Sequence, residues 1–217
     1  MKVKHILFSI FFVLFYTISV FGKEWITTVK FVPDGDTFID FQGIVYRLKG
    51  IDAPEIAHKD KPAQYYSYRS KKLLKSIIWH KKVKIITIGE KRDRFNRILA
   101  YVFLPDGTFV NEYMLLKGAA FCFPHPFQEE SIIERFLIAQ RRAIDKKEGF
   151  WGYILSIPAA HDRYIGNRRS KRFHTLSCGF GKNISKRNRV WFVNLKDAFW
   201  RGYAPCRRCT PWPIIKK

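Results

Sequence analysis

Hydrophobic and polar positions change period several times along the chain. WITTVKFV, 25–32, alternates and is β-branched, which predicts a strand, and PDGD at 33–36 predicts a turn. TFIDF and GIVYRLKGI read as two further strands about the Gln42-Gly43 turn. The period then lengthens. KPAQYYSYRSKKLLKSIIW, 61–79, reads as a helix with Leu73, Leu74, Ile77 and Ile78 on one side. KVKIITIG, 82–89, and RILAYVFL, 97–104, return to strand patterning, and NEYMLLKGA, 111–119, predicts a short helix. Residues 129–151 predict a long amphipathic helix with acids in its first turn and bases later, as the helix dipole prefers.

The predicted order is β-β-β-α-β-β-α-α. Five short strands with a helix between the third and fourth predict an α+β fold, a five-stranded OB-fold barrel with three helices, over residues 23–152. Barrels of this kind commonly bind oligonucleotides.

Two ends of the chain depart from this pattern. Lys2, Lys4 and His5 precede the apolar run 6–22, the layout of a secretory signal, with Val20 and Gly22 suited to a cleavage site. Retained, the same run would be a short membrane anchor. Both readings of residues 1–22 place the remainder outside the cytoplasm. At the other end, residues 153–162 read as a linker, 163–212 as a small separate module and 213–217 as a tail.

Charge sharpens the division. The 217 residues carry 40 Lys or Arg against 18 Asp or Glu, a net +22. Residues 161–217 hold 15 of the bases and only two of the acids. Such a balance favours a polyanion partner, and 47% hydrophobic content excludes a disordered basic tail. The four cysteines, Cys122, Cys178, Cys206 and Cys209, are too few and too clustered for a disulfide scaffold. Cys122 reads as a buried hydrophobe.

Three segments place charge where barrel strands should be apolar: PDGDT (33–37), YRLKGIDAPE (46–55) and DRFNRILAYV (93–102). Singly, each has a bland reading: Asp34 is an ordinary turn residue, and a lone strand arginine points to solvent. Together they suit phosphodiester hydrolysis. Asp carboxylates are hard ligands for Ca²⁺ or Mg²⁺, arginines grip phosphate oxygens bidentately, and a nearby Glu can take a proton from water.

These three segments, in this order and spacing, resemble the thermonuclease (staphylococcal nuclease-like) family over about residues 25–152. The resemblance implies an endonuclease of the micrococcal type, cutting DNA and RNA to 3′-phosphate and 5′-hydroxyl ends. It implies Ca²⁺ held by Asp36, Asp52 and the backbone carbonyl of Ala53, a general base at Glu55, and a phosphate-gripping pair in Arg47 and Arg97. Phe95 and FCFPHPF (121–127) stand where relatives carry tyrosines near the nucleotide pocket.

In the C-terminal module, His174 and Cys178 are separated by 27 residues from the Cys206/Cys209 pair. Two donor pairs at the ends of a module too small for much core suit a tetrahedral Zn²⁺ clip. A disulfide between two of the cysteines, with His174 on the surface, is the alternative. A thioredoxin-like redox pair at Cys206 and Cys209 lacks the surrounding βαβ pattern. FHTLSC, NRVWFVNLKDAFWRGY and APCRRC resemble the zinc-binding domain of Ada-type DNA repair proteins. His174 stands where that family's first Cys accepts a methyl group, so the resemblance implies zinc and DNA binding without methyl transfer. The arginines and lysines of the module predict the binding surface, and most of its aromatics predict core.

The expectation is therefore an exported metal-dependent nuclease with DNA and RNA as partners and no obligate protein partner. A non-catalytic nucleic-acid binder is the alternative. A cationic membrane-active protein is disfavoured, because the 129–151 helix carries mixed charge.

Overall fold

A computed structural model of the chain describes residues 22–58, 61–88, 92–124, 128–209 and 212–215. The predicted signal or anchor, apart from Gly22, lies outside the described residues, as do His125–Phe127 of the phenylalanine-rich stretch. Among the described residues no helix is long and apolar enough to cross a membrane.

The alternating segments form the predicted barrel. Strands β1 (Lys23–Phe31), β2 (Thr37–Asp40), β3 (Val45–Leu48), β5 (Lys82–Thr87) and β6 (Ile98–Phe103) close in the order β1-β2-β3-β6-β5. Val29, Phe38, Tyr46, Leu48, Val83, Ile85, Ala100 and Val102 fill the interior, as inward positions of a small barrel must. Helices α1 (Ser67–Ile78), α2 (Val110–Leu116) and α3 (Glu130–Asp145) surround it. A two-stranded ladder, β4 (Ile51–Asp52) with β7 (Phe121–Cys122), was not expected from sequence. It is too short to carry a period, yet it fixes Asp52. Cys122 is buried in this ladder, and its N–H donates to Gln140 Oε1 at 2.6 Å.

Two helix boundaries differ from the sequence reading. Helix α1 starts at Ser67 rather than 61. Tyr66 has φ of 71°, and the Gln64 backbone N–H is taken by the Glu55 carbonyl at 2.9 Å, so the helix cannot extend backwards. The long 129–151 helix stops at Asp145, and a short α4 (Trp151–Ile154) follows a turn through Gly149. Gly149 has φ of 59°, and a Cβ there would lie 2.1 Å from the Gly118 carbonyl oxygen. The helix breaks so that two chain segments can touch.

Residues 153–162 contain the end of α4 and a 3₁₀ turn, Pro158–His161, with Ala160 buried. Beyond them lies a four-stranded sheet, β10 (Arg189–Phe192), β8 (Tyr164–Asn167), β9 (Arg172–Thr175), β11 (Ala204–Pro205), in that order. Short helices α5 (Gly179–Lys182) and α6 (Leu195–Trp200) complete it. Its core is not self-contained. Phe173 and Phe199 pack in one cluster with Phe121, Phe150 and Trp151 of the barrel side. Buried Gln140 on α3 fastens the join, donating to the Phe199 carbonyl at 2.6 Å while accepting from Cys122. Past the sheet, Trp212 joins the same cluster and donates to the Tyr65 carbonyl at 2.9 Å. Of the module aromatics read as core, Phe173, Phe192 and Tyr203 are buried, whereas Trp191 is half exposed.

Candidate active site and metal centre

Asp36 ends the turn before β2. Gly35 permits this, since a Cβ there would lie 2.7 Å from Ser70 Cβ and 2.8 Å from Ala53 Cβ. The turn therefore lies flat against α1 and the 51–55 segment. Thr37 faces Arg47 across the β2–β3 ladder, and Leu48 N–H donates to the Asp36 carbonyl at 2.8 Å.

This register brings Arg47 between two carboxylates. Its Nη1 donates to Asp36 Oδ1 and its Nη2 to Asp52 Oδ1, each at 2.5 Å. All three side chains are buried. Asp36 accepts further from Thr37 Oγ1 at 2.8 Å and from the Ala53 N–H at 3.0 Å. A strand arginine that sequence alone would send to solvent thus sits 8% exposed.

The two carboxylates differ in charge preference. Burial pushes Asp36 up to about 7, against the opposing pull of Arg47 and with Asp34 and Asp52 adding to the rise. Asp52 is also desolvated, but the combined pull of Arg47, Arg207 and Arg172 holds it below the usual carboxylate range. Asp52 is the settled anion, whereas the Asp36 anion is costly until further positive charge arrives.

Glu55 follows at the end of the same segment. Its backbone is clamped by Gln64, whose Oε1 accepts from the Glu55 N–H at 2.8 Å and whose N–H donates to the Glu55 carbonyl at 2.9 Å. Its carboxylate is half exposed and titrates above its ordinary value, through partial desolvation and the nearby Asp52 and Asp36, opposed by Arg207. Gln64 is a positioning residue that sequence reasoning missed, being nine positions away in a segment read as helix.

Arg97 borders the same cleft as Arg47. Its Nε and Nη2 both donate to Asp93 Oδ2, at 2.8 and 2.6 Å, so it is held ready beside the carboxylate pair rather than spent on it. Phe95 is exposed, with the Arg94 and Arg97 guanidiniums 4.8 and 5.3 Å from its ring centre.

The second cluster lies in the C-terminal sheet. His174 comes from β9, Cys178 precedes α5, and Cys206 and Cys209 follow β11. The parallel β9–β11 pairing brings the two ends of the module together, with Cys206 N–H on the Phe173 carbonyl at 2.9 Å. The four donor atoms all lie within 4.8 Å of one another. His174 Nδ1 is 3.5 Å from Cys178 Sγ and 3.9 Å from Cys209 Sγ. Tetrahedral zinc with Zn–S of about 2.3 Å and Zn–N of about 2.0 Å places such donors roughly 3.6 Å apart. The donor set therefore fits zinc. The disulfide alternative leaves His174 on the surface, but His174 is buried and all four cysteines are free.

The two centres meet. Arg207, between the paired cysteines, reaches Glu55 Oε1 at 2.8 Å and Asp52 Oδ1 at 3.1 Å. Arg172, two residues before His174, has Nη2 3.6 Å from Asp52 Oδ2. No sequence signal marked these contacts, since the partners lie more than a hundred residues apart.

Comparison with known proteins matches residues 45–153 to the family described as staphylococcal nuclease homologue. A probable endonuclease, LCL3, of Komagataella phaffii is 37% identical over 111 residues, 49% of this chain and 48% of that protein. An uncharacterized endonuclease of Escherichia coli is 33% identical over 130 residues, 58% of this chain and 77% of its own. A thermonuclease of Staphylococcus intermedius is 33% identical over 138 residues, 61% of this chain and 79% of its own. The chain spans about half the length of the LCL3 relatives of Komagataella phaffii and Schizophyllum commune.

Proposed function

The chain belongs to the staphylococcal nuclease homologue family, and from that premise we propose that it is an endonuclease hydrolysing phosphodiester bonds of DNA and RNA. The observation that carries the reading is the buried bridge of Arg47 between Asp36 and Asp52, with Glu55 beside it. Catalytic power against phosphodiesters comes mainly from charge arranged in advance around the phosphorus.

Asp36 and Asp52, with the Ala53 carbonyl, are the proposed holders of a divalent cation, Ca²⁺ by family resemblance. The fit rests on two hard oxygen donors and on an Asp36 whose burial Arg47 does not fully offset. When bound, such a cation lends positive charge to the phosphate and to water. Arg47 and Arg97 grip the non-bridging oxygens, and stay charged while doing so. Glu55, its backbone pinned by Gln64 and its acidity weakened, takes the proton from the attacking water. Attack that breaks the bond to the 5′ oxygen leaves 3′-phosphate and 5′-hydroxyl ends.

His174, Cys178, Cys206 and Cys209 are the proposed ligands of one structural Zn²⁺. The basic start and apolar run of residues 1–22 support export of the remainder, or its attachment to a membrane if the run is retained.

The test is cleavage of single-stranded DNA and of RNA with Ca²⁺ or with a chelator, beside Glu55→Gln and Arg97→Ala. The expected result is Ca²⁺-dependent cleavage reduced at least a hundredfold by either change, on the order seen for loss of a catalytic proton acceptor. Binding without cleavage under every divalent ion establishes the non-catalytic alternative instead.

A further inference from the structure

Zinc clips usually stabilise small domains at a distance from any chemistry. Here the clip lies against the carboxylates. Arg207 sits between two of the metal-donor cysteines and bridges Asp52 and Glu55, at 3.1 and 2.8 Å. Arg172, on the strand that carries His174, approaches the other oxygen of Asp52 and lies 3.9 Å over the Phe123 ring. Both arginines line a cleft of about 540 Å³ whose opposite wall carries Arg47, Phe95 and Arg97. Phe180, from α5 of the module, lines it too, with Arg208 5.1 Å from its ring centre.

We propose that the C-terminal module is the second wall of the substrate cleft, and that Arg207 and Arg172 bind phosphates of the nucleic-acid strand lying in it. This inference rests on the nuclease reading of the same cleft. Three features favour a strand as occupant over a solvated basic face. The arginines reach the carboxylates, Arg172 largely covered and Arg207 half exposed, rather than standing free on the surface. They converge with Arg47, Arg94 and Arg97, and with Arg208 they bring six guanidiniums to one cleft beside the three acids of the site, Asp36, Asp52 and Glu55. Phenylalanines stand on both walls, and alternating guanidiniums and ring faces suit a single strand with its bases unstacked.

The structure shows Arg207 in one position, on Asp52 and Glu55. Without cation or substrate its charge neutralises Asp52 and Glu55. A cation held by Asp36 and Asp52 would take over part of that charge balance, leaving Arg207 available to phosphate and the Glu55 carboxylate unpaired. The placement depends on the four-donor cluster, because Cys206 and Cys209 fix the backbone on both sides of Arg207.

The test uses the full chain carrying Glu55→Gln, so that substrate survives, with a fluorescent 12-mer single-stranded DNA and Ca²⁺, read by anisotropy over a salt series. Arg207→Ala and Arg172→Ala are each expected to weaken binding about tenfold, the loss of one charge-assisted contact. Each is expected to lower the salt slope by about 0.7, one phosphate contact on a single strand. Arg207→Lys should restore the slope but not the full affinity, since an ammonium cannot make the two-pronged contact. Cys209→Ser, confirmed by metal analysis to have lost zinc, should weaken binding as much as Arg207→Ala. Lys146→Ala, an exposed residue outside the module and outside the cleft lining, should change affinity less than twofold.

Unchanged affinity and slope for Arg207→Ala and Arg172→Ala overturn the proposal. So does faster cleavage by Arg207→Ala in the Glu55 background with binding unaltered, which would make Arg207 a plug rather than a wall. If Glu55-dependent cleavage is intact but neither arginine matters, only this inference fails. If no cleavage is found but both arginines carry affinity, the nuclease reading fails and the wall stands.

Discussion

Asp36 gives the sharpest test of how the site is charged. Its carboxylate is buried and pushed up to about 7 from an ordinary 3.8. At about 1.4 kcal/mol for each unit, the ionised form costs the folded chain up to about 4 kcal/mol at pH 8. Asp36→Asn removes that charge. The gain is reduced because Asp36 accepts from Arg47, Thr37 and Ala53, all of them donors, whereas an Asn amide turns an NH₂ toward one of them. One lost hydrogen bond of this kind costs about 1–2 kcal/mol. Asp36→Asn is therefore expected to stabilise the cation-free chain by roughly 2 kcal/mol at pH 8. An acid whose folded value lies above its unfolded value holds an extra proton when folded. The stability of the wild type is then full below about 4 and lost as pH rises through about 7. The advantage of the variant should accordingly shrink from pH 8 toward pH 4. Urea unfolding followed by tryptophan fluorescence, in chelator, measures both effects. Added Ca²⁺ should stabilise the wild type and leave the variant nearly unmoved, reversing or closing the gap. A variant less stable than the wild type at pH 8 in chelator refutes the reasoning, because the Asp36 anion would then be worth more through Arg47 than burial takes away.

Other perturbations probe the join and the clip. Gln140→Ala leaves the Cys122 N–H buried without its acceptor, while the Phe199 carbonyl keeps the Gly202 N–H at 2.9 Å, and is expected to cost about 1–3 kcal/mol in urea unfolding. Gly149→Ala forces a Cβ to within 2.1 Å of the Gly118 carbonyl at positive φ, so a fall in melting temperature larger than that from Gly43→Ala, a positive-φ position with open space, is expected by calorimetry. Metal analysis of the purified full chain should find about one zinc, and stripping it or changing Cys178→Ser should lower thermal stability with loss of that zinc.

The barrel was legible because its strands repeat with period two and its helices do not. The carboxylate and arginine set was legible because charge at strand positions has few other uses, so PDGDT, YRLKGIDAPE and DRFNRILAYV stand out against an apolar background. The His174, Cys178, Cys206 and Cys209 donors were legible from spacing alone. Short features were not: β4 and β7 have two residues each, and no period can be read from two. Helix ends failed for a related reason, since the chain leaves its helices through the contacts of Gln64 with Glu55 and of Phe150 with Gly118 rather than through local propensity.

By itself the sequence picked out the charged and metal-donor residues that the fold brings together and the strands of the barrel, because those features reside in local pattern and residue type. Tertiary structure decided how the two halves work together. Arg207 reaches Asp52 across 155 positions, and Gln140 ties Cys122 to Phe199 across the join. Such contacts leave no periodic trace, because they arise only when the shared aromatic core packs the module against the barrel and closes a cleft that neither half forms alone.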